Sequence, residues 1–243
     1  MELAGKIDID NADRRDVYDY VESHGAVTER DIRRALGMDR TALGHHLTIL
    51  RRDGYLKKTD DKLEVAYAES DVEEYQRDGL AFTIRRADQT DLSGLVGVIR
   101  QVAEEGIYIE AENVADVIDY EEVVLRHNEV GSRLFFVATV NDDVIGWVHL
   151  TLPEADKLSH TAVLTVGVLS EYRGYGIGGS LLERGLDWAA DNGYEKVYNS
   201  IPAVNENACD FLEHYGWEVE AVREGHYKID GEYVDEIMMA VDI

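Results

Sequence analysis

Three short segments near the start of the chain have apolar residues at helical spacing, which predicts three helices. The first, NADRRDVYDYVESHG, ends at Gly25 or nearby. The second is capped by Thr28 and stopped by Gly37, and the third is capped by Asp39 after a very short connection. The predicted inward-facing residues are Val17, Tyr20 and Val21 in the first helix, Ile32, Ala35 and Leu36 in the second, and Leu43, His46 or Leu47, and Leu50 in the third.

Two polar strand patterns, YLKKT and KLEVAY, then flank Asp60 and Asp61, which predicts a hairpin. Three helices followed by a two-stranded wing resemble the winged helix-turn-helix DNA-binding domain over roughly residues 10–67. The acidic segment 68–79 reads as a linker or a short helix. We therefore expect a first domain over 1–67, an acidic linker over 68–80 and a second domain over 81–243.

The winged-helix resemblance implies that the third helix enters the major groove of DNA and that the wing contacts phosphate. Residues 30–62 hold nine basic and five acidic residues, a net charge of +4 within a strongly acidic chain. The alternatives are a solvated helical face and a module for protein contacts. The candidate DNA-binding residues are Arg40, His45, Arg51 and Arg52 on the helix, and Lys57 and Lys58 on the wing.

The second unit alternates between strand and helix patterns in the order β-α-α-β-β-β-α-β-α-β-β. Its second helix is expected over NVADVIDYEEVVLRHN, residues 113–128. Two strands surround a hairpin turn at Asn141, Asp142 and Asp143. This order predicts an α/β (α+β) fold, with a mixed central sheet and helices on both faces.

The charge of the chain indicates the salt conditions in which the protein works, not its fold. The chain carries 50 acidic against 24 basic residues, a net charge of −26, and only 7 of the basic residues are lysine. An acidic, lysine-poor surface resembles proteins of salt-rich cells, of the haloarchaeal type, where salt screens self-repulsion. A single cysteine, Cys209, excludes an internal disulfide. With neither a signal layout nor a membrane-length apolar run, we expect a cytoplasmic protein with no membrane contact.

The stretch SEYRGYGIGGSLLERGLDWAADNGY, residues 170–194, is rich in glycine just before an amphipathic helix. Gly174, Gly176 and Gly179 satisfy the spacing of a dinucleotide-binding turn. However, the next strand, KVYNSI, ends without the acidic residue that would hold a ribose. A nucleotide triphosphate loop would need Gly-Lys-Ser/Thr, and no lysine is present. A plain turn does not need four glycines.

The run VGVLSEYRGYGIGGSLL resembles the signature of the GNAT superfamily of N-acetyltransferases, Arg/Gln-x-x-Gly-x-Gly/Ala between the fourth strand and its following helix. The segment NENACDFLEHYGWE resembles that family's asparagine-containing helix, and the strand order over about 81–243 is similar to its fold. The resemblance implies acetyl-CoA as cosubstrate, no metal, and an amine acceptor that attacks the acetyl group directly. A homodimer is left open.

The same resemblance implies the cofactor-binding residues. The turn and helix N-terminus would bind the pyrophosphate through backbone N–H groups. The fourth strand would pair with the pantetheine amides, and one of its N–H groups would polarise the thioester carbonyl. These residues are Val166, Gly167 and Val168 on the strand, Arg173, Gly174, Tyr175, Gly176, Ile177, Gly178 and Gly179 at the turn, and Asn205.

The catalytic groups are less clear, because the chain departs from the branch that acetylates protein N-termini. Where that branch has a glutamate and a tyrosine around the asparagine, this chain has Ser200 and Leu212. The substitutes are Tyr215, His226, Tyr227 and Glu110, each of which also fits a solvated or packing role. Two functions follow: an N-acetyltransferase, or a transcription regulator whose GNAT domain senses acyl-CoA without turnover.

Overall fold

The computed structural model describes residues 9–66, 72–104, 107–128, 131–153, 155 and 157–243. The buried apolar residues fall into two clusters. One is built from the residues before position 66, and the other surrounds a large sheet that begins after position 72. Each unit therefore has a hydrophobic core of its own.

The first unit packs three helices against a small antiparallel sheet whose strand order is β1-β3-β2. The predicted caps are confirmed: the Thr28 side chain accepts from Asp31 N, Asp39 accepts from two backbone N–H groups, and Gly37 ends its helix with φ 66°. The strand β1 was not predicted from the sequence. The elements are α1 (Ala12–His24), β1 (Val27–Thr28), α2 (Glu29–Leu36), α3 (Arg40–Arg52), β2 (Leu56–Thr59) and β3 (Lys62–Val65).

The inward face of α1 differs from the prediction by one residue. Tyr18 is fully buried, whereas Tyr20 is only partly buried. The reason is a contact with the second unit, which local periodicity cannot reveal: the Tyr18 hydroxyl donates to the carbonyl of His127 at 2.8 Å. The buried carboxylate of Glu22 lies beside it and pairs with Arg126 at 3.0 Å. Tyr18 thus packs in the core of the first unit, beside Tyr55, and also contacts the second unit.

The second unit is a sheet of nine strands within the described residues, in the order β11-β12-β10-β9-β8-β7-β5-β4, with β6 beside β7. All neighbours are antiparallel except β9 and β10, which are parallel. The sheet is therefore mixed, as expected. Its elements are β4 (Glu73–Arg77), β5 (Leu80–Arg86), α4 (Leu92–Ala103), α5 (Ile109–Glu121), β6 (Arg126–His127), β7 (Gly131–Val140), β8 (Asp143–Pro153), β9 (Thr161–Val168), α6 (Ile177–Asp191), β10 (Lys196–Pro202), α7 (Glu206–His214), β11 (Glu218–Ile229) and β12 (Glu232–Asp242).

Two sequence predictions need correction. The segment predicted as a linker or short helix contains the edge strand β4; its polar character fits an edge strand, which has few buried positions. Residues 68–71 of that segment lie outside the described residues. The helix predicted over 113–128 is α5, which starts earlier and ends at Glu121, because Glu122 adopts a left-handed φ of 55°. The buried Val123 and Val124 follow it outside the helix.

Helices cover both faces of the large sheet. A Cβ at Gly185 of α6 would lie 3.0 Å from Val148 and 3.1 Å from Leu164, so a glycine lets this helix approach the sheet closely. The helices α4 and α5 contact the same central strands from the opposite face. No helix among the described residues is long and apolar enough to cross a membrane.

Candidate functional site

The parallel pairing of β9 with β10 stops halfway along the two strands. Their register runs from Thr161 opposite Lys196 only to Val163 opposite Tyr198, although β9 continues to Val168 and β10 to Pro202. The strands therefore separate and open the sheet. This leaves one side of β9 without a strand neighbour beyond Val163 within the described residues.

The pairing with β8 shows which backbone groups of β9 face the gap. Leu169 N donates to Ile145 O at 3.0 Å, so alternation directs Gly167 toward β8 and Val166 and Val168 toward the gap. The Val168 carbonyl is already occupied, because it accepts from Arg173 Nε at 3.0 Å. The prediction for Gly167 is corrected in its role: its backbone faces β8, and a Cβ there would collide with the Trp147 ring, so the glycine makes room for that buried ring.

The glycine turn leads directly from β9 into α6. Gly174 and Gly176 have φ values of 89° and 75°, which favour glycine. Gly176 is the N-cap of α6 and supplies no capping side chain. The first intrahelical bond runs from Ser180 N to Gly176 O, so the N–H groups of Ile177, Gly178 and Gly179 have no intrahelical acceptor. Together with the helix dipole, they form a site suited to an anion.

The gap and the turn belong to one cavity of about 580 Å³. Its lining includes Val166, Gly167, Val168, Arg173, Gly174, Gly176, Ile177, Gly178, Gly179 and Asn205, which are all the predicted cofactor-binding residues except Tyr175. Tyr175 packs against the core instead. Arg173 is the one lysine or arginine among the lining residues that the structure describes.

The wall of the cavity is completed by α7 and its cap. The buried Asn205 accepts from Ala208 N at 3.2 Å and donates to Ile107 O at 3.4 Å, so its amide caps α7 and fastens the segment before α5. Tyr215 lies at the α6 end of the cavity: a Cβ at Gly179 would collide with its hydroxyl. Tyr215 is therefore beside the first turn of α6, not beside β10 where the strands diverge.

Two other catalytic candidates meet at the opposite end of the cavity. Glu110 lines the cavity, and the Tyr227 hydroxyl lies 3.4 Å from Glu110 Oε1 and 3.4 Å from Glu236 Oε1. Glu236 is buried, pairs with Arg223 at 2.9 Å, and lies opposite Pro202 of the cavity lining. Burial, and then the two carboxylates, raises the pKa of Tyr227 above its usual range. Tyr227 therefore remains a neutral phenol that donates a hydrogen bond.

The remaining candidate, His226, is exposed and lies 3.8 Å from Glu236 Oε2, outside the cavity lining. Leu212, at the position where the resembled branch has a tyrosine, is buried in the core. The described residues contain no group of three histidine, cysteine, aspartate or glutamate side chains that could hold a metal.

Three residues near the cavity were missed from the sequence. No sequence pattern pointed to Glu236, because its contacts form only through the pairing of β12 with β11. His149 lies behind Thr165 of the lining, 3.4 Å from the Thr165 hydroxyl, and burial followed by the charge of Arg133 lowers its pKa to about 3. Arg77 contacts the glycine turn from β4, a segment that we had interpreted as a linker.

On the first unit, half of the six predicted DNA-binding residues already have acidic partners. Three of them are paired: Arg52 with Asp53 at 2.7 Å, Lys58 with Glu29 at 3.0 Å, and Lys57 with Glu64 at 3.4 Å. Arg40, His45 and Arg51 are exposed and have no carboxylate partner within the described residues. Three of the six predicted residues are thus engaged in ion pairs, and three are not.

Comparison with known proteins finds similarity to acetyltransferases in the second unit. Residues 103–217 match the model of the acetyltransferase (GNAT) family. The chain is 30% identical over 101 residues to N-alpha-acetyltransferase 50 of Danio rerio, a match that covers 41% of this chain and 60% of that protein. It is 29% identical over 180 residues to an N-alpha-acetyltransferase of Sulfurisphaera tokodaii, covering 68% of this chain and 95% of that protein. The chain thus spans less than two thirds of the first relative's length.

A solved structure agrees at the level of fold. The GNAT-family acetyltransferase of Streptococcus pneumoniae superposes with a TM-score of 0.54 at 21% identity, covering 67% of this chain and 99% of that one. The second unit shares its fold with that acetyltransferase, and residues 103–217 within it match the model of the acetyltransferase (GNAT) family.

Proposed function

We propose that the protein is an acetyl-CoA-dependent N-acetyltransferase, in which an amine acceptor attacks the acetyl group directly. The observation that carries this proposal is the split between β9 and β10, which opens one cavity that continues to the uncapped N-terminus of α6. The edge of β9, the glycine turn and the Glu110 carboxylate all line that cavity. Acetyl-CoA would supply the activated acetyl thioester.

The residues of the cavity fit this cosubstrate. The free N–H groups of Ile177, Gly178 and Gly179 would hold the pyrophosphate, and Arg173 adds a positive charge. The backbone N–H of Val166 faces the gap and would pair with the amides of the pantetheine arm. The same edge of β9 would donate to the thioester carbonyl as charge develops on its oxygen.

The acceptor would enter at the end occupied by Glu110, Tyr227 and Glu236. An amine must lose its proton before it attacks, and the Glu110 carboxylate lines the cavity at the position where it would accept that proton, directly or through water. Tyr227 would hold the carboxylates in place as a neutral donor, since its raised pKa keeps it protonated. The Glu110 carboxylate at this end would also attract an acceptor that arrives as an ammonium ion, whereas Glu236 is already paired with Arg223.

The class of acceptor that we propose is a primary amine, with the α-amino group of a peptide as the first to test. The names of the two sequence relatives, both N-alpha-acetyltransferases, support this choice. The acidic acceptor end supports it independently, because it suits a cation of any primary amine.

The experiment is steady-state release of free thiol from acetyl-CoA across peptides with different first residues and small primary amines. We expect turnover with at least one α-amine. Replacement Glu110→Gln should lower kcat/KM by about 100-fold, in the range of lost general-base catalysis. The matched control is Glu112→Gln, an exposed glutamate in the same first turn of α5. Equal effects of the two variants would remove the proposed role of Glu110.

The alternative is a transcription regulator that binds acyl-CoA without turnover. The buried Leu212 favours it, since that position supplies no acid for the departing thiolate. Binding of acetyl-CoA by calorimetry, without thiol release for any amine tested, would select the regulator over the enzyme.

We further propose that the first domain, 1–67, is a winged helix. The order α1-β1-α2-α3-β2-β3 and the β2–β3 hairpin support this. DNA binding by this domain remains a proposal, which the acidic partners of Arg52, Lys57 and Lys58 weaken and which the free Arg40 and Arg51 support.

A further inference from the structure

The edge strand β4 fastens the segment between the two units to the helix that begins at the glycine turn. Alternate residues of β4 point to α6. Glu73 pairs with Arg184 at 3.2 Å, and the Tyr75 hydroxyl donates to Glu73 at 2.6 Å. Arg77 follows on the same face and reaches Ser180 Oγ at 2.9 Å. The contacts at Ser180 and Arg184 lie one helical turn apart.

Arg77 contacts the turn itself as well as the helix. Its Nη1 donates to the carbonyl of Gly176 at 3.1 Å, so one guanidinium bridges the N-cap carbonyl and the first-turn serine of α6. A Cβ at Gly176 would collide with this guanidinium. Gly176 is therefore favoured by its left-handed φ of 75°, and any larger residue there would also displace the Arg77 guanidinium.

Arg77 also brings a positive charge that acidic groups do not neutralise. In a chain with 50 acidic residues, it has no carboxylate partner within the part that the structure describes. Arg184, on the neighbouring turn of α6, is paired with Glu73. The described cavity lining holds Arg173 as its single lysine or arginine, so Arg77 would be the second cation beside the turn.

We propose that Arg77 is a positioning residue for the phosphates of the cofactor. It holds the Gly176 carbonyl and Ser180 in place, so that the N–H groups of the turn stay directed into the cavity. It also adds positive charge at the place where a strongly acidic protein would otherwise repel an anion. This inference rests on the proposed function, since it requires that coenzyme A occupies the cavity.

The test compares Arg77→Met and Arg77→Lys with the control Arg184→Met, which breaks the other link between β4 and α6. Calorimetry with coenzyme A gives the Kd at several salt concentrations in which the protein stays folded. We expect Arg77→Met to raise the Kd about tenfold or more, the size of a lost charge-assisted hydrogen bond, and to flatten its salt dependence. Arg77→Lys should restore much of the salt dependence, and Arg184→Met should leave the Kd nearly unchanged.

Kinetics separate positioning from a general loss of structure. In turnover with acetyl-CoA, Arg77→Met should raise the KM for acetyl-CoA with little change in kcat, because the acceptor end is untouched. Wild-type Kd and salt dependence in Arg77→Met would overturn the inference and leave the proposed function intact. Equal losses in Arg77→Met and Arg184→Met would overturn it too, since the role would then be to anchor β4. A wild-type protein that does not bind coenzyme A would remove both proposals.

Discussion

Two regions of this molecule are predicted to bind phosphate, and they differ in how far their hydrogen-bond donors are already engaged within the protein. In the cavity between β9 and β10, backbone donors at the start of α6 have no intrahelical acceptor and point into open space. On the outer face of α3 and the β2–β3 hairpin, the donors are side chains, and half of the six predicted ones are already engaged in ion pairs. The engaged pairs are Arg52 with Asp53, Lys57 with Glu64, and Lys58 with Glu29.

The difference shows that a count of cations is a poor measure of anion binding. The segment 30–62 has a net charge of +4, but ion pairs within the protein already neutralise part of it. Its hairpin turn also carries Asp60 and Asp61. The turn at 174–179 has little net charge, yet its backbone geometry fixes several donors in advance. Hydrogen-bond donors that the backbone holds in place bind an anion at high salt better than exposed charges do, because salt screens mainly the exposed charges.

The largest expected effect is the loss of the cavity's turn. Replacement Gly176→Val introduces a side chain at φ 75° and against Arg77, so the turn must rearrange. We expect the rise in melting temperature that acetyl-CoA gives the wild type to disappear, since a ligand stabilises only the state it binds. Thermal unfolding with and without acetyl-CoA measures this.

The matched control is Gly97→Ala, an exposed glycine of α4 whose added Cβ would meet nothing within 4 Å. This variant should keep the full shift and gain slightly in stability from its higher helix propensity. A full acetyl-CoA shift in Gly176→Val would show that the turn is not the phosphate site.

The second prediction concerns salt and separates the two units by their charge. Residues 81–243 carry 11 basic and 31 acidic residues, whereas residues 1–80 carry 13 and 19. When salt falls from molar to about 0.1 M, repulsion should rise most in the second unit. We expect tryptophan fluorescence to report its unfolding, because Trp147, Trp188 and Trp217 all lie in that unit. Unchanged fluorescence and circular dichroism at low salt would contradict the proposed salt adaptation.

Local signals predicted the elements well where local chemistry decides them. Thr28 and Asp39 cap their helices, and the hairpin residues Asn141 and Asp142 adopt the positive φ that their turn needs. The prediction was wrong where a distant partner decides. Tyr18 displaces Tyr20 from the inward face because its hydroxyl reaches His127, 109 residues away.

The cofactor end of the site was predictable from sequence because it is one contiguous motif, from Val166 to Gly179. The acceptor end was predictable only in part, since Glu110, Tyr227 and Glu236 come from three elements that meet through sheet pairing and packing. No spacing in the sequence relates these three positions. Arg77 was missed for the same reason, since its partners lie 99 and 103 residues away.

The third prediction uses pH to examine His149, a buried histidine behind Thr165 of the cavity lining, in contrast to the exposed charges on the face of α3. His149 has a pKa lowered from 6.5 to about 3 by burial and by Arg133, so the unfolded chain takes up its proton first. The stability that His149 contributes is present above pH 6.5 and is lost as pH falls toward 3. The loss is about 1.4 kcal/mol per pH unit at most.

Urea unfolding at pH 7, 5.5 and 4.5 measures this effect in the wild type and in His149→Gln. The gap in free energy of unfolding between the two proteins should shrink as pH falls, while His214→Gln, at an exposed histidine, should follow the wild type. A gap that stays constant with pH would mean that His149 does not titrate between the folded and unfolded states as its burial requires.

The smallest expected effect is on DNA binding by the first unit, which is the weaker of the two predicted phosphate-binding regions. If the face of α3 binds phosphate, its free and paired cations should behave differently. Arg51→Ala should flatten the salt dependence of binding by about one unit, since a free cation releases a counterion on contact. Lys58→Ala should change it less, because Lys58 must first leave Glu29. Arg40→Ala, at the start of α3, should mainly relax sequence preference.

Fluorescence anisotropy of the full chain with labelled genomic fragments, over a salt series, measures all three. The double replacement Asp60→Asn with Asp61→Asn should tighten binding, because it removes two negative charges from the turn that a wing would place near the backbone of DNA. Equal slopes for Arg51→Ala and Lys58→Ala would show that ion pairing does not set the available charge. Absence of salt-dependent binding in every variant would identify the first unit as a module for protein contacts, because its free cations would then not bind the phosphates of DNA.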